Sequence, residues 1–300
     1  MSIIDFRLRP PVGGFLKMAL FTETERRDRT TRTHGFEPAP SARQKSIDLL
    51  LREMDEAGVT TGVITGRNSG RYGSIGNDEV AAIVDAYPGR FVAAASIDPT
   101  DRKRATAQVT DAMKAGFRAI NIEPGSYPLP MMVDDRRLYP IYAHCEDADI
   151  PVIIMAGGSA GPDLSYTQPE HLDRIAADFP TMKIVVSHGG WPWVHQVLHI
   201  AFRRSNIYLS PDQYLAQLPG MDDYIKAADG FLADRFLFAS SYPFTPVKDY
   251  TAWFKRLPIR PDSMEKVLYR NAARLLRLDA KPSGPTRNRC SPDIHPGRTS

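Results

Sequence analysis

The chain has 300 residues, 42% of them apolar and 24% charged, with a formal net charge of +3 and two cysteines. That length holds one large α/β domain or two ordinary ones. No apolar run approaches the ~20 residues of a bilayer crossing, and Cys145 and Cys290 form no Cys-x-x-Cys pair, which excludes a membrane span, a disulfide framework and a cysteine zinc site. The charge is unevenly placed. Lys281, Arg287, Arg289 and Arg298 against Asp293 put the whole excess in residues 281–300, leaving 34 groups of each sign in residues 1–280. A neutral body disfavours nucleic-acid binding, which relies on neutralising many phosphates. The N-terminus, Met1-Ser2-Ile3-Ile4-Asp5, runs straight into a strand pattern without the zones of a signal peptide, so the expected location is the cytoplasm.

Short β-branched runs alternate with amphipathic stretches along the chain. The runs Ile3 to Arg9, Gly62 to Thr65, Phe91 to Ile97, Ala119 to Ile122, Val152 to Ala156, Lys183 to Ser187, Ile207 to Ser210 and Phe236 to Ala239 read as strands. Eight strands alternating with helices predict a closed (β/α)8 TIM barrel, distorted, ahead of a doubly wound sheet. In the helix before the second strand, Ile47, Leu50, Leu51 and Met54 form one apolar stripe and Gly58 follows as the C-terminal cap. The connection Pro10 to Lys45 is longer than ordinary ones and rich in Arg, Thr and Pro. In a barrel it emerges at the C-terminal face, where it is read as an inserted lid, the alternative being a mobile surface loop. The domain prediction is a barrel over residues 1–278, with the lid at 10–45, and a disordered Pro-, Ser- and Arg-rich tail at 279–300.

Several strand ends resemble the amidohydrolase-related family that includes amino-carboxymuconate-semialdehyde decarboxylase, resorcylate-type decarboxylases and pyrone-dicarboxylate lactonase. The pieces are Ile4-Asp5-Phe6-Arg7-Leu8-Arg9-Pro10, Ala95-Ser96-Ile97-Asp98-Pro99, Ile150-Pro151-Val152-Ile153-Ile154, Ser187-His188-Gly189-Gly190, Leu237-Phe238-Ala239-Ser240-Ser241-Tyr242-Pro243 and Asn271-Ala272-Ala273-Arg274-Leu275-Leu276. In that family the first strand ends I-D-x-H-x-H, the fifth ends in histidine and an aspartate follows the eighth, the four side chains holding a divalent metal. The corresponding positions here are Arg7, Arg9, Met155 and Ser241. Two permanent cations, a thioether and a hydroxyl are not zinc or manganese donors. The expectation is a pocket with no metal and no cofactor. The resemblance also carries a homodimer as the family expectation.

Strand period places Asp5, Arg7 and Arg9 on one side of the first strand, toward the barrel interior. Buried guanidinium groups need partners. Arg7 and Arg9 are therefore read as a clamp for a substrate carboxylate, the alternative being a structural network with Asp5 and Glu123. His188 occupies the position of a family histidine that acts on the substrate or its water, and an imidazole suits acid/base work. Asp212 is the candidate to orient His188 or to act as base. Glu123, Met155 and Ser241 complete the predicted substrate-binding set, with Ser241 and Tyr242 able to donate hydrogen bonds. Residues Ala156 to Gly161 resemble a small-residue anion loop, but they lack the lysine of a phosphate loop. His195 and His199, four apart on a helix outside the barrel, read as surface or packing residues, and Arg26, Arg27, Arg29 and Arg32 as a solvated charge run, the alternative being that they close over an acidic substrate. The functional expectation is a metal-independent hydrolase of a small carboxylated lactone, ester or amide. The alternatives are a metal-independent decarboxylase of a small aromatic or unsaturated acid, and a non-catalytic binder of a carboxylated metabolite. The only partner expected beyond that homodimer is the small substrate, with no nucleic acid and no membrane.

Overall fold

In the computed structural model, which describes residues 2–278, the β-branched runs form seven parallel strands in sequential order: β1 (Ile3–Leu8), β2 (Val59–Thr65), β3 (Phe91–Ser96), β4 (Ala119–Ile122), β5 (Val152–Met155), β6 (Ile184–Ser187) and β7 (Ile207–Ser210). The eighth predicted strand, Phe236 to Ala239, is not a regular strand. It makes single bridges, Leu209 to Phe236 and Leu8 to Tyr242. Backbone bonds from Leu237 N–H to Leu209 O (2.9 Å) and from Phe6 N–H to Phe238 O (2.9 Å) still join β7 to β1 around the ring. The result is a distorted (β/α)8 TIM barrel. The predicted tail, 279–300, lies outside the described residues.

Burial divides into two layers, as the barrel requires. Helix residues such as Leu50, Met54, Val80, Ile83 and Val109 pack on the outward side chains of the strands, including Ile3, Leu8 and Ile64. Inside, Ile4, Phe6, Val63, Ala94, Ala119, Ile153, Val185 and Leu237 fill the floor, closed below by the helix Asn271–Leu275. An apolar floor pushes every polar inward group to the C-terminal mouth. The helix before β2 runs Ile47–Ala57. Its N-cap Ser46 accepts from Leu49 N–H, and Gly58 ends it at φ 78°, a left-handed turn that glycine adopts without a Cβ clash.

The connection after β1 is a helical wall rather than an open loop, comprising a 3-10 turn (Gly13–Lys17) and helices Ala19–Thr22, Thr24–Thr33 and Pro40–Gln44. Arg27, read from the sequence as part of a solvated run, is buried (1% exposed). It pairs with Asp28 at 2.7 Å and donates to the Leu20 and Ala42 carbonyls. Ser41 Oγ hydrogen-bonds Tyr242 Oη (2.9 Å), tying this wall to the segment that closes the ring.

Strand β1 departs from strict alternation, with register shifts between Ile3 and Ile4 and between Asp5 and Leu8. Asp5 is therefore no counter-ion to the guanidinium groups. Its carboxylate accepts from Arg7 N–H (3.1 Å), Ser240 N–H (2.9 Å) and Ser240 Oγ–H (2.5 Å), pinning the irregular eighth segment to β1. Burial lifts its pKa to about 6 against these bonds. Asp5→Ala would leave two backbone N–H groups without an acceptor, and we predict a loss of about 2–4 kcal/mol. Urea unfolding at neutral pH measures it; an unchanged midpoint would show that this closure does not depend on Asp5.

Candidate active site

The strand ends supply a cavity at the mouth, about 700 Å³ of empty space when the part open to solvent is counted. Its inner wall includes Arg9, Arg67, Met155, His188, Gln213 and Ser241. The wall helices contribute Leu20, Glu23, Arg26 and Thr30, while Tyr72, Tyr214 and Phe244 form the aromatic sides.

The two predicted clamp arginines have different surroundings. Arg7 is occupied by protein: Nη1 donates to Ser187 Oγ (3.1 Å), Nη2 to Glu123 Oε1 (3.2 Å), and Nη2 lies 4.0 Å from Met155 Sδ. Its Nε is 3.9 Å from Asp212 Oδ2. Arg7 and Glu123 do not line the cavity. Glu123 also takes Arg67 Nε at 2.7 Å. Burial alone would raise its pKa, but the guanidinium groups of Arg67, Arg7 and Arg9 outweigh that and hold it at about 2. Arg9 faces the cavity instead. Its one hydrogen bond is to Ser241 Oγ at 3.5 Å, and no carboxylate among the described residues lies within ion-pair distance. It is only 3% exposed. Burial, then the like charges of Arg7 and Arg67, press its pKa well below the ordinary guanidinium value.

His188 and Asp212 come together. Asp212 Oδ2 is 2.8 Å and Oδ1 3.0 Å from His188 Nδ1. A carboxylate only accepts, so Nδ1 carries the proton and the neutral ring presents its Nε2 lone pair. Burial lowers the His188 pKa from 6.5, Asp212 opposing and Arg7 reinforcing the shift. The ring is also held edge-on to Tyr214, with centroids 5.0 Å apart. Tyr250 Oη donates to the Asp212 carbonyl (2.6 Å). His188 (φ 61°), Asp212 (φ 47°) and Ser241 (φ 58°) all have left-handed backbone without being glycine. Each such residue costs on the order of 1–3 kcal/mol and persists where surrounding packing fixes it, commonly at functional sites.

Other candidates fall into place around this centre. Tyr242 is buried and held by Ser41 as loop structure. The stretch Ala156 to Gly161 forms a close-packed corner: a Cβ on Gly157 would meet Gly190 backbone atoms at 2.8 Å, and Gly158 N–H donates to Trp191 O. His195 is exposed and pairs with Asp223 at 3.0 Å. Sequence reading missed Arg67, Gln213, Tyr72 and Tyr214. Arg67 stands two residues past β2, the same relation that Asp212 has to β7; applying that offset to every strand would have found it. Arg7, Arg9, Met155 and Ser241 offer two guanidinium groups, a thioether and a hydroxyl, which do not fit a divalent ion, and the described residues include no cluster of three or more His, Cys, Asp or Glu that could hold one.

The amidohydrolase family pattern matches residues 4–278. The chain belongs to the amidohydrolase family. A TIM-barrel protein of uncharacterised function from Bordetella bronchiseptica is 56% identical, covers 92% of this chain and 99% of its own, and superposes with a TM-score of 0.90. Among curated relatives, a 2-keto-4-carboxy-3-hexenedioate hydratase from Sphingobium sp. is 28% identical over 134 residues, spanning 38% of this chain and only 39% of that protein. A gamma-resorcylate decarboxylase from Polaromonas sp. is 22% identical over 82% of this chain and 93% of its own. Among the described residues no helix is long and apolar enough to cross a membrane.

The lowered His188 pKa fixes a sign. With a folded value below the unfolded one, protons bind the unfolded state preferentially, so this group removes stability as pH falls below 6.5. We predict that His188→Gln loses less stability than wild type between pH 7 and 5, in paired urea titrations. Asp5, with its raised pKa, contributes in the opposite direction in both proteins and cancels in the comparison. Equal losses would contradict the assigned His188 shift.

Proposed function

We propose that this protein is a metal-independent hydrolase acting on a small carboxylated lactone, ester or amide. The carrying observation is the His188–Asp212 pair at a cavity whose inner wall holds Arg9, a buried cation with no carboxylate partner. Arg9 binds the substrate carboxylate, so of the two arginines read from the sequence it makes the direct contact. Arg7 orders Glu123 and Asp212 behind it. His188 Nε2 takes a proton from water, the oxygen adds to the carbonyl carbon, and the same proton passes to the departing oxygen or nitrogen. Asp212 holds the ring in the required tautomer and stabilises the imidazolium that forms. Arg67 and the Ser241 hydroxyl are the donors for the developing oxyanion.

The carboxy-lyase reading is supported by a different observation, the alignment with the gamma-resorcylate decarboxylase over nearly its full length. There His188 would protonate carbon as carbon dioxide departs. An arginine on the departing carboxylate stabilises the ground state more than the charge-dispersed transition state, which favours hydrolysis for a cavity built around Arg9.

Screening small carboxylated lactones, esters and amides beside aromatic and unsaturated acids separates the two by product. On the best substrate, His188→Gln is predicted to lower kcat by about 10²–10⁴-fold, and Arg9→Met to raise KM with a smaller effect on kcat. Equal rates for His188→Gln would remove it from the mechanism; carbon dioxide release without hydrolysis would replace the hydrolase reading with the carboxy-lyase one.

A further inference from the structure

The cations that line the cavity differ in what they are free to bind. Arg67 is held by Glu123 at 2.7 Å. Arg27 is held by Asp28 at 2.7 Å and by two backbone carbonyls. Arg26, at the rim, is held by Glu23 at 3.0 Å. Arg26 and Arg67 also lie 5.7 and 5.4 Å from the centre of the Tyr72 ring, which takes up part of their remaining capacity through cation–π attraction. Arg9 alone lacks a carboxylate among these lining cations, and it is nearly fully buried. Asp5, the carboxylate nearest to it in sequence, does not line the cavity and is engaged by Ser240 and by Arg7 N–H.

A buried guanidinium beside a cavity and without a counter-ion calls for one anionic group from the ligand. A second anionic group finds no unpaired cation. Arg67 gives only its Nε to Glu123 and keeps donors for a carbonyl oxygen, but its charge is already matched by Glu123, as that of Arg26 is by Glu23, and Glu23 itself lines the cavity and repels a second anion. Beside His188, the remaining wall carries no charged side chain: it is apolar or aromatic at Leu20, Met155, Tyr214 and Phe244 and polar but uncharged at Thr30, Ser159, Gln213 and Ser241.

We propose that the cavity selects monoanionic ligands: one carboxylate seated on Arg9, the remainder uncharged. This rests on the reading of Arg9 as the ligand-facing cation, and it narrows the substrate class from carboxylated molecules to monocarboxylates.

Calorimetric binding to the full chain tests the selection without requiring turnover. Two matched series serve as probes: benzoate, benzamide and isophthalate, and crotonate, crotonamide and fumarate. In at least one series the monoacid is expected to bind on the order of tenfold tighter than both its amide and its diacid, as one charge-assisted contact warrants. Arg9→Met should erase the preference for acid over amide, and Arg9→Lys, which keeps the charge, should retain part of it. The proposal is overturned if in neither series the monoacid outbinds both its amide and its diacid, or if Arg9→Met keeps the preference. A protein that shows the selection but hydrolyses nothing would lose the hydrolase reading and keep this one. A hydrolase that prefers diacids would do the reverse.

Discussion

Three guanidinium groups, those of Arg7, Arg9 and Arg67, are buried at the mouth of this barrel, and Glu123 stands between two of them. Removing that many like charges from water is tolerable only when each finds compensation. Glu123 bridges Arg7 and Arg67, Asp212 approaches Arg7 from the other side, and Ser187 and Asn121 add hydrogen bonds to the arrangement. The apolar floor below leaves these groups nowhere else to go. Arg9 is left over, and the character of the cavity follows from that remainder.

The same charges act on the acid/base pair. Asp212 works on His188 from one side, while burial and the nearby guanidinium groups keep the imidazole neutral. A neutral ring with Nδ1 committed to a carboxylate is a base at ordinary pH. The left-handed conformations at His188, Asp212 and Ser241 bring three successive strand ends inward at once, and the bonds from Tyr250 to Asp212 and from Tyr224 to Gly189 hold two of these turns in place. Strain at the mouth is balanced by the closely packed layers beneath it.

Much of this was legible in the chain. Seven strands lie where β-branched runs predicted them, because inward and outward faces are both buried and leave little ambiguity. His188 and Asp212 do sit just past the ends of β6 and β7, His188 marked by the family resemblance and Asp212 by its place after the strand. The irregular closure at Phe236 to Ala239 was not legible, since Asp5 and Ser240, 235 residues apart, replace regular strand pairing there. Arg27 looked like a surface charge because its partners, Asp28 and two carbonyls, meet only when the wall helices fold. The division of labour between Arg7 and Arg9 was likewise invisible: alternation made them equivalent, and the shifted register of β1 together with Glu123 just past β4 made them different.

A crystal structure with a small carboxylate bound tests the central claim most directly. The account predicts carboxylate oxygens about 3 Å from the Arg9 guanidinium, the Arg7–Glu123–Arg67 bridge unchanged, and the uncharged end of the ligand, or a water beside it, facing His188 Nε2. A carboxylate bound elsewhere, with Arg9 turned onto a protein carboxylate, or a divalent ion held among Arg9, Met155 and Ser241, would contradict it.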